Sequence, residues 1–293
     1  MVVLDGKALS HKIVEDVKKE VTEYKKKGVV PGLAMILVGD DPASLLYVNM
    51  KTKACEQVGI YSINHRLPKE ITEEKLLSVI KTLNKNTMVH GILIQLPLPK
   101  HIDENRIVEE MDPLKDVDGF HPYNMGRLAR GNPAFTSCTA LGIVKLLDAY
   151  NIEIKGKDVQ IVGAGNITGK PVALSLLNRG ATVQICHIFT NNLEDKVKVA
   201  DVVISAVGKA GFIKGDMIKE KAVVIDVGIK KVGDRVIGDV DFDSVSLKAS
   251  FITPVPGGVG PMTIAMLLHN TLKAVSLSLS RTTIPVEVKS QIK

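Results

Sequence analysis

The chain of 293 residues, at about 150 residues per domain, has room for two domains with their own cores. Lys and Arg number 38 against 32 Asp and Glu, a formal charge of +6, and 45% of residues are hydrophobic, which argues against a disordered chain. No run reaches the roughly 18 apolar residues of a membrane helix, Met1 to Lys7 has no apolar signal-peptide core, and Cys55, Cys138 and Cys186 are too scattered for a disulfide framework or zinc site, so a soluble intracellular protein is expected.

The first predicted helix runs from Ser10 to Lys27, where Ile13, Val14, Val17 and Val21 recur at helical spacing and Gly28 supplies the stop. Its end carries the densest basic run, Lys25-Lys26-Lys27, where cations face the negative end of the helix dipole. That placement, the absence of Trp and an aromatic content of 4% leave nucleic acid an unexpected partner, while a small anionic substrate suits the basicity.

Leu33 to Val38 is a continuous apolar run, the pattern of a strand covered on both faces. Gly39-Asp40-Asp41-Pro42 breaks it, and a helix over Ala43 to Gln57 follows, stopped near Gly59. A strand at Tyr61 to Arg66, a helix at Thr72 to Leu83 and a strand at Gly91 to Gln95 continue an alternation that implies a parallel sheet. Leu96 to Pro133, with scattered Pro and Gly, reads as a long irregular segment, more often functional than idle in a compact protein.

A helix at Thr139 to Tyr150 leads into a second β/α series. Strands are expected at Val159 to Val162, Thr182 to Cys186, Val202 to Val207 and Ala222 to Val227, with a helix at Lys170 to Leu177. Pro261 to Val275 is a final helix returning to the first domain. The expected architecture is two α/β lobes with a cleft between them.

Six segments could carry chemistry. Gly163-Ala164-Gly165 through Gly169 joins a buried strand to a helix, where glycines let backbone amides approach a pyrophosphate. Its spacing, G-x-G-x-x-x-G, departs from the usual dinucleotide fingerprint, and a tight turn without a ligand is the alternative. Tyr47 and Lys51 are four apart and share a helix face; a surface pair is the alternative. Gln95 ends an apolar strand, at the edge where open α/β sheets bind ligands. Asp116, Asp118 and His121 fall in the irregular stretch, as turn formers or as weakly supported metal ligands. Ile225 to Ile229 ends another apolar strand, and Thr253 to Thr263 could clamp a flat ligand or joint two domains.

Taken together, Ala43-Ser44 with Tyr47 and Lys51, the Gln95 strand, Lys115-Asp116-Val117-Asp118-Gly119-Phe120-His121-Pro122, Ile225 to Ile229 and Pro254 to Thr263 closely resemble one family over essentially the whole chain. It is the bifunctional methylenetetrahydrofolate dehydrogenase/methenyltetrahydrofolate cyclohydrolases. The resemblance implies a folate-binding catalytic domain at 1–138, completed by a C-terminal helix at about 265–293, and a Rossmann-like dinucleotide-binding domain at 139–264. It implies that Tyr47 stacks on the aminobenzoyl part of the substrate, that Asp118 hydrogen-bonds the pterin, and that Lys51 is central to the cyclohydrolase step with Gln95 tuning its protonation. Pro256, Gly257 and Gly258 are expected at the substrate, and Gly163, Ala164, Gly165, Ile188 and Ile229 at the dinucleotide. No metal is implied. A cytoplasmic homodimer is, acting on tetrahydrofolate derivatives, with a product used in purine biosynthesis.

Three departures from the family pattern stand out. Gly163-Ala164-Gly165 replaces the common Gly-Arg-Ser, Cys186-His187-Ile188 the usual Cys-His-Ser, and Ser137-Cys138-Thr139-Ala140 the usual Pro-Cys-Thr-Pro. The first two remove the arginine and hydroxyls expected around a 2′-phosphate, so NADP is the family default and NAD an open alternative. No Asp or Glu ends the Thr182 to Cys186 strand to hold a ribose hydroxyl either. A folate-binding homologue with a weak or absent dehydrogenase step is the second reading of the whole chain.

Overall fold

The structure is a computed structural model that describes residues 1–233 and 235–282. In chain order the elements are β1 (Val2–Val3), α1 (Gly6–Lys26), β2 (Gly32–Val38), α2 (Pro42–Val58), β3 (Tyr61–Leu67), α3 (Glu73–Lys85), β4 (Gly91–Ile94), α4 (Glu104–Glu110), α5 (Pro122–Ala129) and α6 (Cys138–Ala149). There follow β5 (Asp158–Val162), α7 (Gly169–Leu177), β6 (Thr182–Cys186), α8 (Leu193–Lys198), β7 (Val202–Ser205), β8 (Val223–Asp226), β9 (Lys230–Val232), β10 (Arg235–Ile237), α9 (Phe242–Ser246), β11 (Phe251–Ile252) and α10 (Val259–Thr282).

The chain forms two compact units. One holds Val14–His121 and the chain from Leu267; the other holds Met1–Ile13 and Pro122–Met266. Relative to a division at 138/139 and 264/265, this one places residues 1–13, 122–138 and 265–266 in the second unit. Leu4 belongs to the core of the second unit, and Asn178 donates to the Leu128 carbonyl at the end of α5, so the first residues and α5 pack there. The part of the expected C-terminal helix beyond Thr282 lies outside the described residues.

In the first unit β2 pairs in parallel with β3 on one side and β4 on the other. Every residue of β2 is buried, as its unbroken apolar sequence requires. Helix α2 starts sharply because Asp41 accepts from the Ser44 N–H at 2.8 Å and Pro42 supplies a preset first turn. Gly59 ends it with φ +82°, its N–H returning to the carbonyls of Cys55 and Glu56. The core joins Ala34, Ile36 and Ile92 to Leu76 and Ile80 of α3 and to Ile107 of α4.

In the second unit the strand order is β1-β11-β8-β7-β5-β6, with every pair parallel. The connection from β5 leads outward to β6 and the chain then returns to place β7 on the other side of β5, the reversal of a doubly wound sheet. A hairpin, β9 and β10, is inserted after β8. The long irregular stretch expected from Leu96 to Pro133 contains two helices, α4 and α5. Both are short, seven and eight residues, which leaves too few turns for a readable apolar period.

Candidate active site

In the first unit the topological reversal lies between β2 and β4, the position where open α/β sheets leave a crevice at their carboxyl edge. Helix α2, which follows β2, carries Lys51, and the residue that follows β4 is Gln95. The Lys51 ammonium donates to Gln95 Oε1 at 3.0 Å. Gln95 is itself fixed at both ends: its backbone N–H donates to the Ile36 carbonyl of β2 at 2.9 Å, and its Nε2 donates to the Leu96 carbonyl at 3.0 Å. Its amide oxygen is thereby committed to the lysine. One of the three ammonium protons is so used, leaving others for a substrate or water.

Tyr47 lies one turn before Lys51 on α2 and is half-buried, and burial raises its phenol pKa above the ordinary value. One turn after Lys51, Cys55 is buried, its thiol pushed up to about 12 by desolvation. That cysteine is packing rather than a nucleophile.

Asp118 sits in a turn held beside β4. Asp116 forms a parallel bridge with Ile92, and the Ile92 N–H donates to the Lys115 carbonyl at 2.7 Å. The fully buried Asp116 carboxylate accepts from the N–H groups of Gly119 (3.0 Å) and His121 (2.8 Å), folding the turn around itself. From α10, Asn270 Nδ2 donates to the Val117 carbonyl at 2.8 Å. Asp118 is left half-exposed at the apex. Among the described residues no group of three or more His, Cys, Asp or Glu side chains could hold a metal ion.

In the second unit, Gly163 follows β5 with φ +119°. A methyl there would overlap the Ala206 carbonyl at the exit of β7, and a methyl at Gly169 would overlap the Gly163 carbonyl. Both glycines serve close backbone approach. Among the described residues the backbone N–H groups from Ala164 to Gly169 have no acceptor, and Thr168, which caps α7, makes no side-chain cap bond. A run of unmatched amides at a helix N-terminus suits an anion such as a pyrophosphate, so these residues fit a dinucleotide.

At the exit of β6, Ile188 is 91% and Phe189 80% exposed, and the His187 ring accepts from the Phe189 N–H at 3.2 Å. Ile229, beyond β8, is also exposed. In the Pro256-Gly257-Gly258 loop, the Gly258 N–H donates to the Pro254 carbonyl, and the Gly257 carbonyl accepts from Lys7. Lys51, Gln95, Tyr47 and Asp118 therefore belong to one unit, and Gly163, Ala164, Gly165, Ile188, Ile229 and Pro256 to Gly258 to the other.

Asn270 and Asp239 escaped the sequence reading, and Asp226, inside the Ile225 to Ile229 segment singled out there, was given no anchoring role; Asp226 and Asp239 form a buried pair. Asp226 is only 3% and Asp239 only 1% exposed, each held by several donors. Asp226 is pushed up to about 6, chiefly by desolvation and in part by the neighbouring Asp239 charge, against three backbone N–H donors. The available signal was Gly228 and Gly238, each of which leaves no room for a methyl beside a carboxylate.

Comparison with known proteins gives a consistent result. Residues 4–118 match the family model of the tetrahydrofolate dehydrogenase/cyclohydrolase catalytic domain, and residues 137–279 that of its NAD(P)-binding domain. The bifunctional protein FolD of Nitratiruptor sp. is 60% identical over 275 residues, 94% of this chain and 98% of that protein. The crystal structure of the Campylobacter jejuni bifunctional enzyme FolD superposes with a TM-score of 0.93 at 52% identity, covering 96% of this chain and 99% of the other. The Trypanosoma brucei enzyme, complexed with NADP cofactor and inhibitor, gives 0.91 at 41% identity, covering 95% and 98%.

Proposed function

Because the chain belongs to the tetrahydrofolate dehydrogenase/cyclohydrolase family and is a methylenetetrahydrofolate dehydrogenase and methenyltetrahydrofolate cyclohydrolase, we propose that Lys51 and Gln95 are the centre of its hydrolytic step. The observation that carries this reading is the 3.0 Å contact between them at the sheet's reversal point. Hydrolysis of the methenyl group requires water to add to a cationic carbon, a proton to leave that water, and a proton to reach the departing ring nitrogen. A group that both donates and accepts is needed, and an amine does this. Gln95 holds the amine in one place; an amide oxygen does so without adding a charge that would compete for the proton.

Tyr47, on the same helix face, offers a flat ring to the aminobenzoyl group, and Asp118 offers its carboxylate to the pterin's N–H donors. The unit containing Gly163 holds a nicotinamide dinucleotide, with the Ala164 to Gly169 amides at the pyrophosphate and Ile188 and Ile229 beside the remainder. When bound, that cofactor supplies the acceptor for the hydride leaving the methylene carbon, and the protein's part is to orient it. NADP is the cofactor favoured by family membership, and the uncharged turn at Ala164 and Ile188 keeps NAD as the alternative.

We infer further that the enzyme works in the cytoplasm as a homodimer and that its 10-formyltetrahydrofolate serves purine synthesis. No helix among the described residues is long and apolar enough to cross a membrane. The reading is tested by following nicotinamide reduction with NADP and NAD separately, and methenyl absorbance in wild type and Lys51→Met. Reduction of neither dinucleotide would reject the cofactor assignment, and parental hydrolysis by Lys51→Met would reject the role of the lysine.

A further inference from the structure

The Gly163 turn is walled by the exit of β7, since Gly163 leaves no space for a methyl against Ala206, whose N–H donates to Val162 at 2.8 Å. Whatever fixes residues 205–209 therefore fixes one side of the turn. The Asp239 side chain does so: Oδ2 accepts from Ser205 Oγ (3.1 Å) and the Val207 N–H (2.7 Å), and Oδ1 from the Lys209 N–H (2.8 Å). Asp239 is held in turn by Asp226, whose Oδ1 accepts the Asp239 and Gly228 N–H groups at 2.9 Å and whose Oδ2 accepts that of Val240 at 2.9 Å. The Asp226 N–H donates to Thr253 Oγ1 at 2.7 Å, at the start of the Pro254 to Gly258 loop.

We propose that Asp239, seated by Asp226, is a positioning residue for the dinucleotide: its carboxylate sets the β7 exit at the height that leaves the Gly163 turn open for the cofactor. The inference rests on the dinucleotide reading of this unit given above. A carboxylate is required because both oxygens accept backbone N–H groups. In Asp239→Asn one end of the side chain becomes a donor, which must face the Val207 or the Lys209 N–H and release that part of the loop. Asp226 and Asp239 touch neither substrate nor reacting atoms in this scheme. They act through the loops they hold.

The test is a fluorescence titration of NADPH and NADH against wild type, Asp239→Asn and Ser205→Ala. Melting temperature without dinucleotide and methenyl hydrolysis are recorded for the same samples. With a charge-assisted bond lost, Asp239→Asn should bind the preferred dinucleotide about tenfold more weakly. Ser205→Ala, which removes one neutral hydroxyl bond, should bind it about threefold more weakly. Hydrolysis should stay within about twofold for both. A purely structural role would lower melting temperature and hydrolysis together while leaving the dissociation constant of the folded protein unchanged, and that pattern overturns the proposal. Should Asp239→Asn fail to fold, an unchanged dissociation constant in Ser205→Ala overturns it equally. A wild type that binds neither dinucleotide sinks the cofactor reading itself, an outcome distinct from wild-type binding with unaffected variants.

Discussion

Lys51 and Gln95 stand 44 positions apart and meet at 3.0 Å, ammonium to amide oxygen. The contact joins the helix that follows β2 to the first residue after β4, so pairing of two adjacent strands is what brings the two side chains together. Lys51→Met keeps the bulk of the side chain and removes its proton chemistry. Methenyl hydrolysis should fall by roughly 10²- to 10⁴-fold, with folate affinity nearly unchanged. The decay of methenyl absorbance and a binding titration on the same sample decide it.

In the turn after β5, position 164 is an uncharged alanine, and the Lys170 ammonium at its far end donates to Asn166 Oδ1 at 2.6 Å. Ala164→Arg adds a planar, bidentate donor, and the ratio of NADP to NAD affinity should rise by about tenfold, the worth of one charge-assisted bond. Dissociation constants for the two dinucleotides, measured in parallel, give the ratio. No change in it would show that the 2′ position lies elsewhere.

Gly169 leaves no space beyond its hydrogen, being packed against the Gly163 carbonyl. Gly169→Ala should destabilise the protein by about 1–3 kcal/mol through overpacking and weaken dinucleotide binding. Gly165, which faces open space, should accept alanine with little loss of stability. Urea denaturation of the two variants provides the comparison.

Asp226 is raised in the folded protein from 3.8 to about 6. The native state therefore holds a proton that the unfolded chain has released, between those two values. This group favours folding most below about pH 4, and the contribution is lost as pH rises through about 6, a swing on the order of 3 kcal/mol. The stability of wild type minus that of Asp226→Asn should accordingly decline from pH 4 to pH 7. A flat or rising difference would exclude the shift.

Asn270 ties α10 to the Val117 carbonyl. Asn270→Leu leaves that buried oxygen without this donor and should cost about 1–3 kcal/mol. The folate KM should rise, because Asp118 is the next residue, while the dissociation constant of the dinucleotide holds. Steady-state kinetics with varied folate separate the two effects.

Much of this arrangement was legible in the residues. Continuous apolar runs gave β2, β4, β7 and β8, because strands covered on both faces leave no polar alternation to misread. Tyr47, Lys51 and Gln95 could be picked out because helix spacing and strand ends are local properties. The anchoring of Asp118 was not legible: Asp116 does the holding, and Asn270 arrives from 153 positions away. The anchoring by Asp226 and Asp239 was not legible for the same reason, since a carboxylate at a strand exit looks solvated until the chain beyond β10 returns to it, as the Asp239 and Val240 N–H groups do to Asp226. The hairpin, β9 with β10, has strands of three residues, too short to register any period.

The chain passes from one unit to the other three times, at residues 13/14, 121/122 and 266/267, and the first and last of these passages fall within α1 and α10. Neither half is thus a continuous stretch of gene. Expressing residues 14–121 alone would omit the part of α10 that carries Asn270, and expressing 122–266 alone would omit Leu4 from its core. A single continuous cut therefore removes neither unit whole, and an engineer wishing to separate the two activities is better served by point substitution than by scissors.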